Sequence, residues 1–487
     1  MTNITGTKSY LSILKSTSLF AGIQVLQILV TLIRGKLIAV IMGPVGMGLY
    51  SISLSLINFL VQISSLGLNY SSVKAISAVS DNDDSSVISN LLGVLKKWLI
   101  LTSILGILLF FLTTEYFIEL FYQKDKLPNN LYYLSLAVVF NILNNGVLSI
   151  LQGIQQLKKL AIANFFGLSI SIIITIPVYL IFNESGIILG FLISNTVNFI
   201  ASYYFFSKLK LPIESISFKT AISEGRDLVS LGITMSIATF CGTICIFLSN
   251  SFITKYGSIS DVGLYNSAIS ITTQYVGVIF TAMSMDYFPR LSKAFSDNKS
   301  VYHIVNQQME IVIMICAPLL MGLLLTAPFL IKLLLSSDFL VIIDLVKLLT
   351  LSIFFKAAAF AFGYISFAKG DKKVFLFFEG ILNSSLMLLG NVIGYHYYGL
   401  MGIGYASLMI NVLYLFNILL ISKYRYRVTI SLSNMKYFVI LICFLTIVYF
   451  LTKGDSSITS YILGVLILLV CTIHSFYILF KKSVQKI

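Results

Sequence analysis

Charged residues are scarce in this chain of 487 residues: only 11% are Asp, Glu, Lys or Arg, whereas 57% are hydrophobic. A soluble fold of this length does not need so much apolar surface, and long apolar runs with few charges are typical of transmembrane helices. The mean hydropathy of +0.94 agrees with this interpretation. The composition therefore disfavours a soluble, disordered or fibrous chain and predicts an all-α polytopic membrane protein.

Histidine and cysteine are also scarce, with three and five residues respectively. The histidines form no HExxH or triad spacing, and the chain contains no P-loop or GxSxG sequence. The cysteines all lie inside apolar runs and form no CxxC pair, so they are interpreted as small packing residues. We therefore expect no metal, no cofactor and no enzymatic activity.

Long apolar runs, by contrast, are plentiful. About 14 of them approach or exceed the roughly 20 residues that span a bilayer. We therefore predict about 14 transmembrane helices, with the approximate limits 16–42, 45–73, 98–113, 130–152, 160–182, 186–206, 227–254, 261–288, 303–331, 339–368, 374–397, 400–422, 437–452 and 458–480.

The net charge of +14 is not concentrated on a soluble domain. Of the 33 basic residues, 24 fall in one set of loops and termini and five in the opposite loops. An excess of Lys and Arg marks the cytoplasmic side of a membrane protein. This asymmetry predicts a plasma (inner) membrane protein with both termini in the cytoplasm, and it argues against nucleic acid as a partner.

The sequence also repeats itself. Gly48-Leu-Tyr returns at Gly263-Leu-Tyr, an offset of 215 residues, and Gly146–Gly153 resembles Gly363–Gly370 at an offset of 217. These matches predict two parallel six-helix repeats around a central cleft, a layout of alternating-access carriers. The expected divisions are a lobe at 1–206, a cytoplasmic connector with a short amphipathic helix at 207–226, a second lobe at 227–423 and a C-terminal transmembrane hairpin at 424–487.

Four stretches carry a family resemblance: Arg34–Tyr50, Leu66–Ala78, Val262–Phe295 and Phe354–Gly380. Through them, residues 10–425 resemble the Wzx-type polysaccharide flippases, which move O-antigen or enterobacterial common antigen lipid intermediates and belong to the multidrug/oligosaccharidyl-lipid/polysaccharide exporter superfamily. The chain departs from the family pattern just before Lys356, where an acidic residue is expected and none occurs. This departure weakens any inference about a coupling ion.

The resemblance implies a polyprenyl-diphosphate-linked oligosaccharide as the substrate, in this case linked to undecaprenyl. Membrane lipids surround such a carrier, which is expected to be a monomer, and polymerase or chain-length proteins are candidate partners. A diphosphate cannot cross hydrocarbon unaided, so the carrier should present cations inside the membrane.

Lys356 is the first candidate for contact with the diphosphate. It lies 13 residues before the cytoplasmic Lys369, which is roughly 20 Å of helix and near the middle of the membrane. A buried structural ion pair is the alternative. Tyr364, two turns further on, is the aromatic candidate for the same cavity.

Other cations also lie within or at the ends of the predicted spans. Arg34 and Lys36 lie in the first span but point about 200° apart, so both cannot face one cavity. Lys74 and Arg290 end equivalent spans, where phosphate contact competes with simple anchoring at the cytoplasmic surface. Lys347 has Asp344 three residues earlier, a spacing that favours a structural pair.

Three carboxylates are candidates for ion coupling, because a protonatable group inside a membrane is a functional hypothesis by default. They are Glu379, Glu310 and Asp286. Asp286 also lies four residues before Arg290, a spacing that allows an ion pair on one face of a helix.

Other functions remain open. The same scaffold suits a peptidoglycan lipid precursor flippase or a small-molecule drug exporter, although an exporter of organic cations should have embedded carboxylates rather than lysines. A membrane polysaccharide polymerase or ligase is disfavoured, because the predicted outer loops are too short to hold an acceptor and catalytic residues.

Overall fold

The computed structural model of the protein describes residues 4–80, 85–121, 131–453 and 457–484. Over these residues the regular secondary structure is helical, as the composition predicted. The helices are α1 (Ile4–Ser64), α2 (Leu68–Ser80), α3 (Ser85–Phe121), α4 (Tyr133–Gly153), α5 (Leu157–Phe182), α6 (Gly186–Ser207), α7 (Phe218–Tyr256), α8 (Ile259–Lys293), α9 (Asn298–Leu334), α10 (Ile343–Ala368), α11 (Lys372–Val374), α12 (Asn383–Tyr426), α13 (Leu432–Leu451) and α14 (Ile458–Val484), with a π-helix at Phe375–Leu382 between α11 and α12.

Nine helical stretches in the described part of the chain are long and apolar enough to cross a membrane. Some of them contain a break: α1 bends at Gly43, α5 and α6 are separated at Asn183–Ser185, and α12 bends at Gly399. The φ angles of Gly43 (63°) and Gly399 (57°) lie in the left-handed region, which glycine adopts without steric cost. The protein is therefore a multi-pass membrane protein, while a total of about 14 crossings stays a prediction.

The chain packs as two compact units, Met1–Lys255 and Tyr256–Ile487. Each unit has one central helix with three corresponding neighbours: α4 packs against α2, α3 and α6, and α10 packs against α8, α9 and α12. This shared arrangement supports the internal repeat. The predicted second lobe begins at residue 227 and so includes most of α7, whereas the packing places α7 up to Lys255 in the first unit. The predicted division into lobes stays a prediction.

Backbone conformation fixes the register of the repeat. Gln155 follows α4 with φ 58° and Gly370 follows α10 with φ 72°, 215 residues later, and the same three backbone hydrogen bonds close both helix ends. Further along, Asn183 and Gly399 break their helices with similar angles (φ 47°, ψ −129° and φ 57°, ψ −143°), an offset of 216. The two halves therefore follow the same path with an offset of 215–216.

This register corrects one of the sequence matches. At an offset of 215, Gly146 corresponds to Ala361 and not to Gly363, so the Gly146–Gly153 match at 217 is out of register. A shift of two residues turns a helix by about 200°, which places the matched residues on different faces. The Gly48 and Gly263 match, by contrast, has the offset that the backbone shows.

The connector between α6 and α7 differs from its prediction in part, because only its second half, from Phe218, is helical, and that half is the start of α7. Residues 208–217 contain no helix beyond a turn, and α7 begins only at Phe218. Pro212 has no N–H group for a helical hydrogen bond, and Leu209 and Leu211 pack against the hydrophobic core of the first unit. Trp98 then fixes the start of α7, because its indole Nε1 donates to the carbonyl of Ala221 at 2.8 Å.

Helix α13 is fastened to the second unit at both of its ends. At the start, the amide of Asn306 in α9 donates to the carbonyl of Thr429 at 2.9 Å and accepts from the backbone N–H of Ser431 at 2.7 Å. At the end, the buried ammonium group of Lys347 in α10 donates to the carbonyl of Thr452, the residue that caps α13. Lys347 therefore has a structural contact, although with a backbone carbonyl and not with the Asp344 carboxylate that the sequence spacing favoured.

We predict that Asn306→Ala lowers the free energy of unfolding by about 1–3 kcal/mol, because it leaves the carbonyl of Thr429 and the N–H of Ser431, which make part-buried hydrogen bonds, without their partner. Thermal unfolding of the purified protein in detergent measures the change. Gln307→Ala, one residue along the same helix, is the matched control and should have a small effect. Equal unfolding temperatures for the two variants would contradict the proposed role of Asn306.

Candidate functional site

A cavity of about 380 Å³ lies within the second unit. This volume is in the range of small-molecule binding sites. Its lining mixes aromatic, amide and charged side chains and consists of Phe280, Lys356, Phe360, Gly363, Tyr364, Phe367, Phe375, Glu379, Asn383, Asn411 and Tyr414.

Helix α10 provides one complete wall of this cavity. Five residues of α10 line the cavity, and successive ones are four, three, one and three positions apart. This spacing places them on one face of an α-helix. The opposite face of α10 is apolar and packs into the core, where Phe354, Ala358 and Ile365 are fully buried. The sequence of α10 therefore sets which side chains reach the cavity: Lys356, Phe360, Gly363, Tyr364 and Phe367.

Lys356 is the cation of the site. Its neighbours Phe354 and Ala357 are fully buried, yet its own side chain is exposed, because that side chain extends into the cavity. Among the described residues, none forms a hydrogen bond with its ammonium group. Glu379, which lines the same cavity, is the opposite charge that acts on it. An ammonium group with this exposure is available to an anionic ligand.

Glu379 lies in the π-helix that precedes α12. A π-helix holds one extra residue per turn, and short π segments occur often at functional sites. The helix from Lys372 to the break at Gly399 is one residue longer than its counterpart α5, which agrees with such an insertion. The insertion occurs in the segment that carries the only carboxylate among the residues lining the cavity.

Tyr414 of α12 holds this carboxylate in place, since its hydroxyl donates to Glu379 Oε1 at 2.5 Å. Gly363 provides the space for this contact. A Cβ atom at position 363 would lie 2.9 Å from the Tyr414 hydroxyl and 3.2 Å from Glu379 Oε1. Any side chain at this position would therefore crowd the hydrogen bond.

Amide and aromatic groups complete the lining. The side-chain amide of Asn411 donates to Ser352 Oγ at 2.7 Å, and its oxygen remains able to accept a hydrogen bond from a ligand. Phe280 and Phe360 stack with ring centroids 5.0 Å apart, and Phe367 approaches Phe375 at 5.3 Å. The cavity thus combines flat apolar surfaces with one cation, one acid and several hydrogen-bonding groups.

The structure brings together three of the residues that sequence analysis selected, namely Lys356, Tyr364 and Glu379. It places three others in the first unit. Arg34 is half-buried and donates to Ser171 Oγ at 2.6 Å, whereas Lys36 on α1 and Lys74 on α2 are exposed.

The remaining candidates lie elsewhere in the second unit. Arg290, near the end of α8, donates to the side-chain oxygen of Gln308 at 3.3 Å. Glu310 is buried within α9, with 7% of its surface exposed, and does not line the cavity. The side chain of Asp286 lies outside the described residues, so its predicted pairing with Arg290 stays a prediction.

Sequence analysis missed Asn411 and Tyr414. Both are uncharged and sit in an apolar helix about 55 residues after Lys356, so no local pattern connects them to it. A signal was present in the repeat, because Asn411 corresponds to Asn195 at an offset of 216 and both form an amide hydrogen bond with the preceding central helix.

Comparison with known proteins identifies the family and the fold. A family model described as polysaccharide biosynthesis protein matches residues 96–344, just over half of the chain. No significant match occurs among curated protein sequences.

Among solved structures, one described as the lipid II flippase MurJ in an inward closed conformation is 17% identical, with a TM-score of 0.72, and the match covers 96% of this chain and 99% of that one. A multidrug resistance MATE family transporter of the MOP superfamily, inward-facing, is 17% identical with a TM-score of 0.69, covering 85% and 95%. A structure with the same family description, outward-facing, is 18% identical with a TM-score of 0.52, covering 88% and 95%.

Identities this low establish the fold alone, whereas the family model covers enough of the chain to establish the family. The chain therefore belongs to the polysaccharide biosynthesis protein family and has the fold of MOP superfamily transporters, which confirms the resemblance seen in its sequence.

Proposed function

We propose that the protein is a flippase that moves undecaprenyl-diphosphate-linked oligosaccharides from the cytoplasmic to the outer leaflet of the plasma membrane. In this proposal both termini are cytoplasmic, the protein works as a monomer, and it acts without catalysis or a cofactor. The observation that carries the proposal is Lys356, an exposed cation inside a cavity of a membrane-embedded helical unit.

The chemistry of the cavity suits such a cargo. A diphosphate is anionic and costly to move through hydrocarbon, and an ammonium group in a site of low dielectric attracts it strongly. Asn383, Asn411 and Tyr414 offer amide and hydroxyl groups for the saccharide, and the aromatic walls offer flat apolar surface. Arg34, Lys36, Lys74 and Arg290 remain candidates for further phosphate contacts along the route.

Glu379 would balance Lys356 when no cargo is bound. A diphosphate entering the cavity would compete with the carboxylate for the ammonium group, so binding would change the surroundings of Glu379. This makes Glu379 the preferred residue for ion coupling in the proposal, ahead of Glu310 and Asp286.

Transport by alternating access fits the fold. Solved transporters with this fold are described in inward-facing and outward-facing conformations, and we propose that this chain alternates in the same way. Polymerase or chain-length proteins would then receive the cargo at the outer leaflet.

Two alternatives use the same scaffold. Structures with this fold include a lipid II flippase and a multidrug transporter, so a peptidoglycan lipid precursor or a drug are competing cargoes. The family description favours a polysaccharide intermediate over both. The cation in the cavity disfavours organic cations in particular. A polymerase or ligase is less favoured, since the polar groups of the cavity include no recognisable catalytic set.

Deletion of the gene tests the function directly. We expect undecaprenyl-linked repeat units to accumulate on the cytoplasmic face and the surface polysaccharide to disappear, because the charged intermediate would have no route across the membrane. Leaflet-specific labelling of the lipid-linked sugar measures this. Normal surface polysaccharide in a strain without a paralogue would refute the proposal.

We predict that Lys356→Ala reduces transport about 10–150-fold, the loss expected for one hydrogen bond to a charged group worth about 1.5–3 kcal/mol. Lys356→Arg should retain part of the activity because it keeps the charge. Complementation of the deletion strain, together with expression level, provides the measurement.

The matched control is Lys373→Ala, which removes the same charge from an exposed residue of α11. It should transport normally. If Lys356→Ala transported as well as Lys373→Ala, the cavity would not be the cargo site.

We predict that Tyr414→Phe and Glu379→Gln act on transport non-additively, with a coupling energy of about 0.5–3 kcal/mol in a double-mutant cycle. The reason is that Tyr414→Phe removes the donor of their shared hydrogen bond, whereas Glu379→Gln removes the negative charge of its acceptor. Initial rates in reconstituted vesicles give the four values of the cycle. Strictly additive effects would show that the pair does not act as a unit.

A further inference from the structure

An ion pair in the second unit joins the turn after α10 to the end of α12. Arg425 Nε donates to Asp371 Oδ2 at 2.6 Å. The hydroxyl group of Tyr426 donates to the same oxygen at 3.2 Å. Arg425 is exposed, whereas Tyr426 is buried. The Asp371 carboxylate therefore receives two donors from successive residues of α12.

Asp371 also begins the helical segment that leads into the cavity. Its side chain caps α11 by accepting from the backbone N–H of Val374 at 3.4 Å. Its own N–H donates to the carbonyl of Ser366 in α10 at 2.9 Å. The π-helix Phe375–Leu382, which carries Glu379, follows directly after α11. A single residue thus connects the ends of α10 and α12 to the start of this segment.

Helix α12 contacts the segment at a second point as well. Tyr414 bonds Glu379, and Arg425 bonds Asp371. Tyr414 and Arg425 are eleven residues apart, which is about 16 Å of α-helix and within about 20° of three complete turns. Both side chains therefore extend from one face of α12, and together they hold the start of the segment and its carboxylate.

The place of the π-helix decides which way Glu379 points. A π-helix accommodates one extra residue in a turn, and this residue could in principle be absorbed anywhere between Lys372 and the break at Gly399. A shift of one residue turns a helical side chain by about 100°. Such a shift ahead of Glu379 would take its carboxylate away from Tyr414. Something must therefore keep the π-helix at its place in the segment.

The first unit has the same turn without an ion pair and without a π-helix. At the repeat offsets of 215 and 216, Gln156 corresponds to Asp371 and Leu209 to Arg425. Gln156 makes no side-chain cap, and Leu209 packs against the hydrophobic core. Helix α5 then continues as an α-helix over Leu157–Phe182. Within the described residues of these two segments, the ion pair therefore accompanies the π-helix.

We propose that Asp371 and Arg425 are a positioning pair, which fixes the start of the π-helix and so keeps Glu379 beside Tyr414 in the cavity. Neither residue of the pair lines the cavity, so the pair acts through the segment that carries Glu379. Its role in transport rests on the proposed function, whereas its hold on the π-helix does not. An exposed ion pair adds little to the overall stability of a protein, so we expect a local effect.

Hydrogen–deuterium exchange of the purified full-length protein in detergent tests this hold without any cargo. Mass spectrometry follows the peptides that cover the π-helix Phe375–Leu382, because amide exchange reports how often a segment opens. We expect Arg425→Gln to accelerate exchange in these peptides about two- to fivefold, the range that the loss of an exposed ion pair allows. Peptides from α13 should exchange as in the wild type.

Three further variants make the measurement specific. Asp371→Asn keeps a good helix cap but removes the charge, so it should exchange like Arg425→Gln. Arg425→Lys keeps the positive charge and should restore most of the protection. The matched control is Lys423→Gln, which removes the same charge from an exposed residue two positions earlier in α12. It should exchange like the wild type.

Transport rates in reconstituted vesicles give a second measurement. Arg425→Gln should lower the initial rate about two- to fivefold. Glu379→Gln should then lower the rate by a smaller factor in the Arg425→Gln background than in the wild type. Arg425 bonds Asp371 and not Glu379, and separate sites otherwise act additively. An equal effect of Glu379→Gln in both backgrounds would show that Arg425 does not act through Glu379.

Two exchange results would also overturn the proposal. If Arg425→Gln and Lys423→Gln exchanged alike at the π-helix, the ion pair would not hold the segment. If Arg425→Gln accelerated exchange in α13 as much as in the π-helix, the pair would stabilise the fold in general and position nothing. Both results come from protein without cargo and leave the proposed function untouched. Conversely, a protein that moved no lipid-linked sugar would still give a valid exchange result.

Discussion

A polar group in a membrane-embedded helix must find its partner within the protein, because hydrocarbon offers none. This constraint acts on both units of the chain, and each meets it with the same backbone and different side chains. In the first unit, Asn145, Asn141 and Asn195 satisfy one another in a directed chain of amides. In the second unit, Lys356 takes the position of Asn141, and an ammonium group cannot be satisfied by the neighbouring amides in the same way.

The difference follows from the chemistry of the two groups. An amide donates and accepts, so a row of amides closes on itself and ends at a backbone carbonyl. An ammonium group only donates and carries a full charge, so it needs an acid or an anionic ligand. Glu379 supplies the acid, and the π-helix that carries it gives this segment one residue more than its counterpart α5. The charge and the irregular helix therefore belong to one structural change between the halves.

Much of the fold, and the central residue of the candidate site, could be predicted from the sequence. Hydrophobic runs predicted the helices, because burial in lipid requires apolar residues over the full length of a span, and the isolated charge of Lys356 marked the cavity. Breaks at Gly43 and Gly399 follow from glycine, but the non-helical connector depends on Pro212 and on Leu209 and Leu211 packing against a distant core. Asn411 and Tyr414 reach the site only through the packing of α12 on α10, which local sequence does not report. The repeat register likewise required backbone angles, since short Gly and Ser matches recur by chance in so apolar a chain.

The register also explains why the two units do not have equivalent sites. Where the second unit has Phe280, Phe360 and Tyr364, the bulky rings line a cavity large enough for a small molecule, whereas Ser65, Asn145 and Ser149 leave space in the first unit for one water-sized sphere. The volume of the pocket and the polarity of its lining therefore both differ between the units, and both differences involve the same three positions. A large cavity with a cation suits an extended anionic cargo, whereas the pocket of the first unit is too small for one. Under the proposed function, the duplication supplies one scaffold twice, and these few substitutions give only the second copy a cavity that can take the cargo.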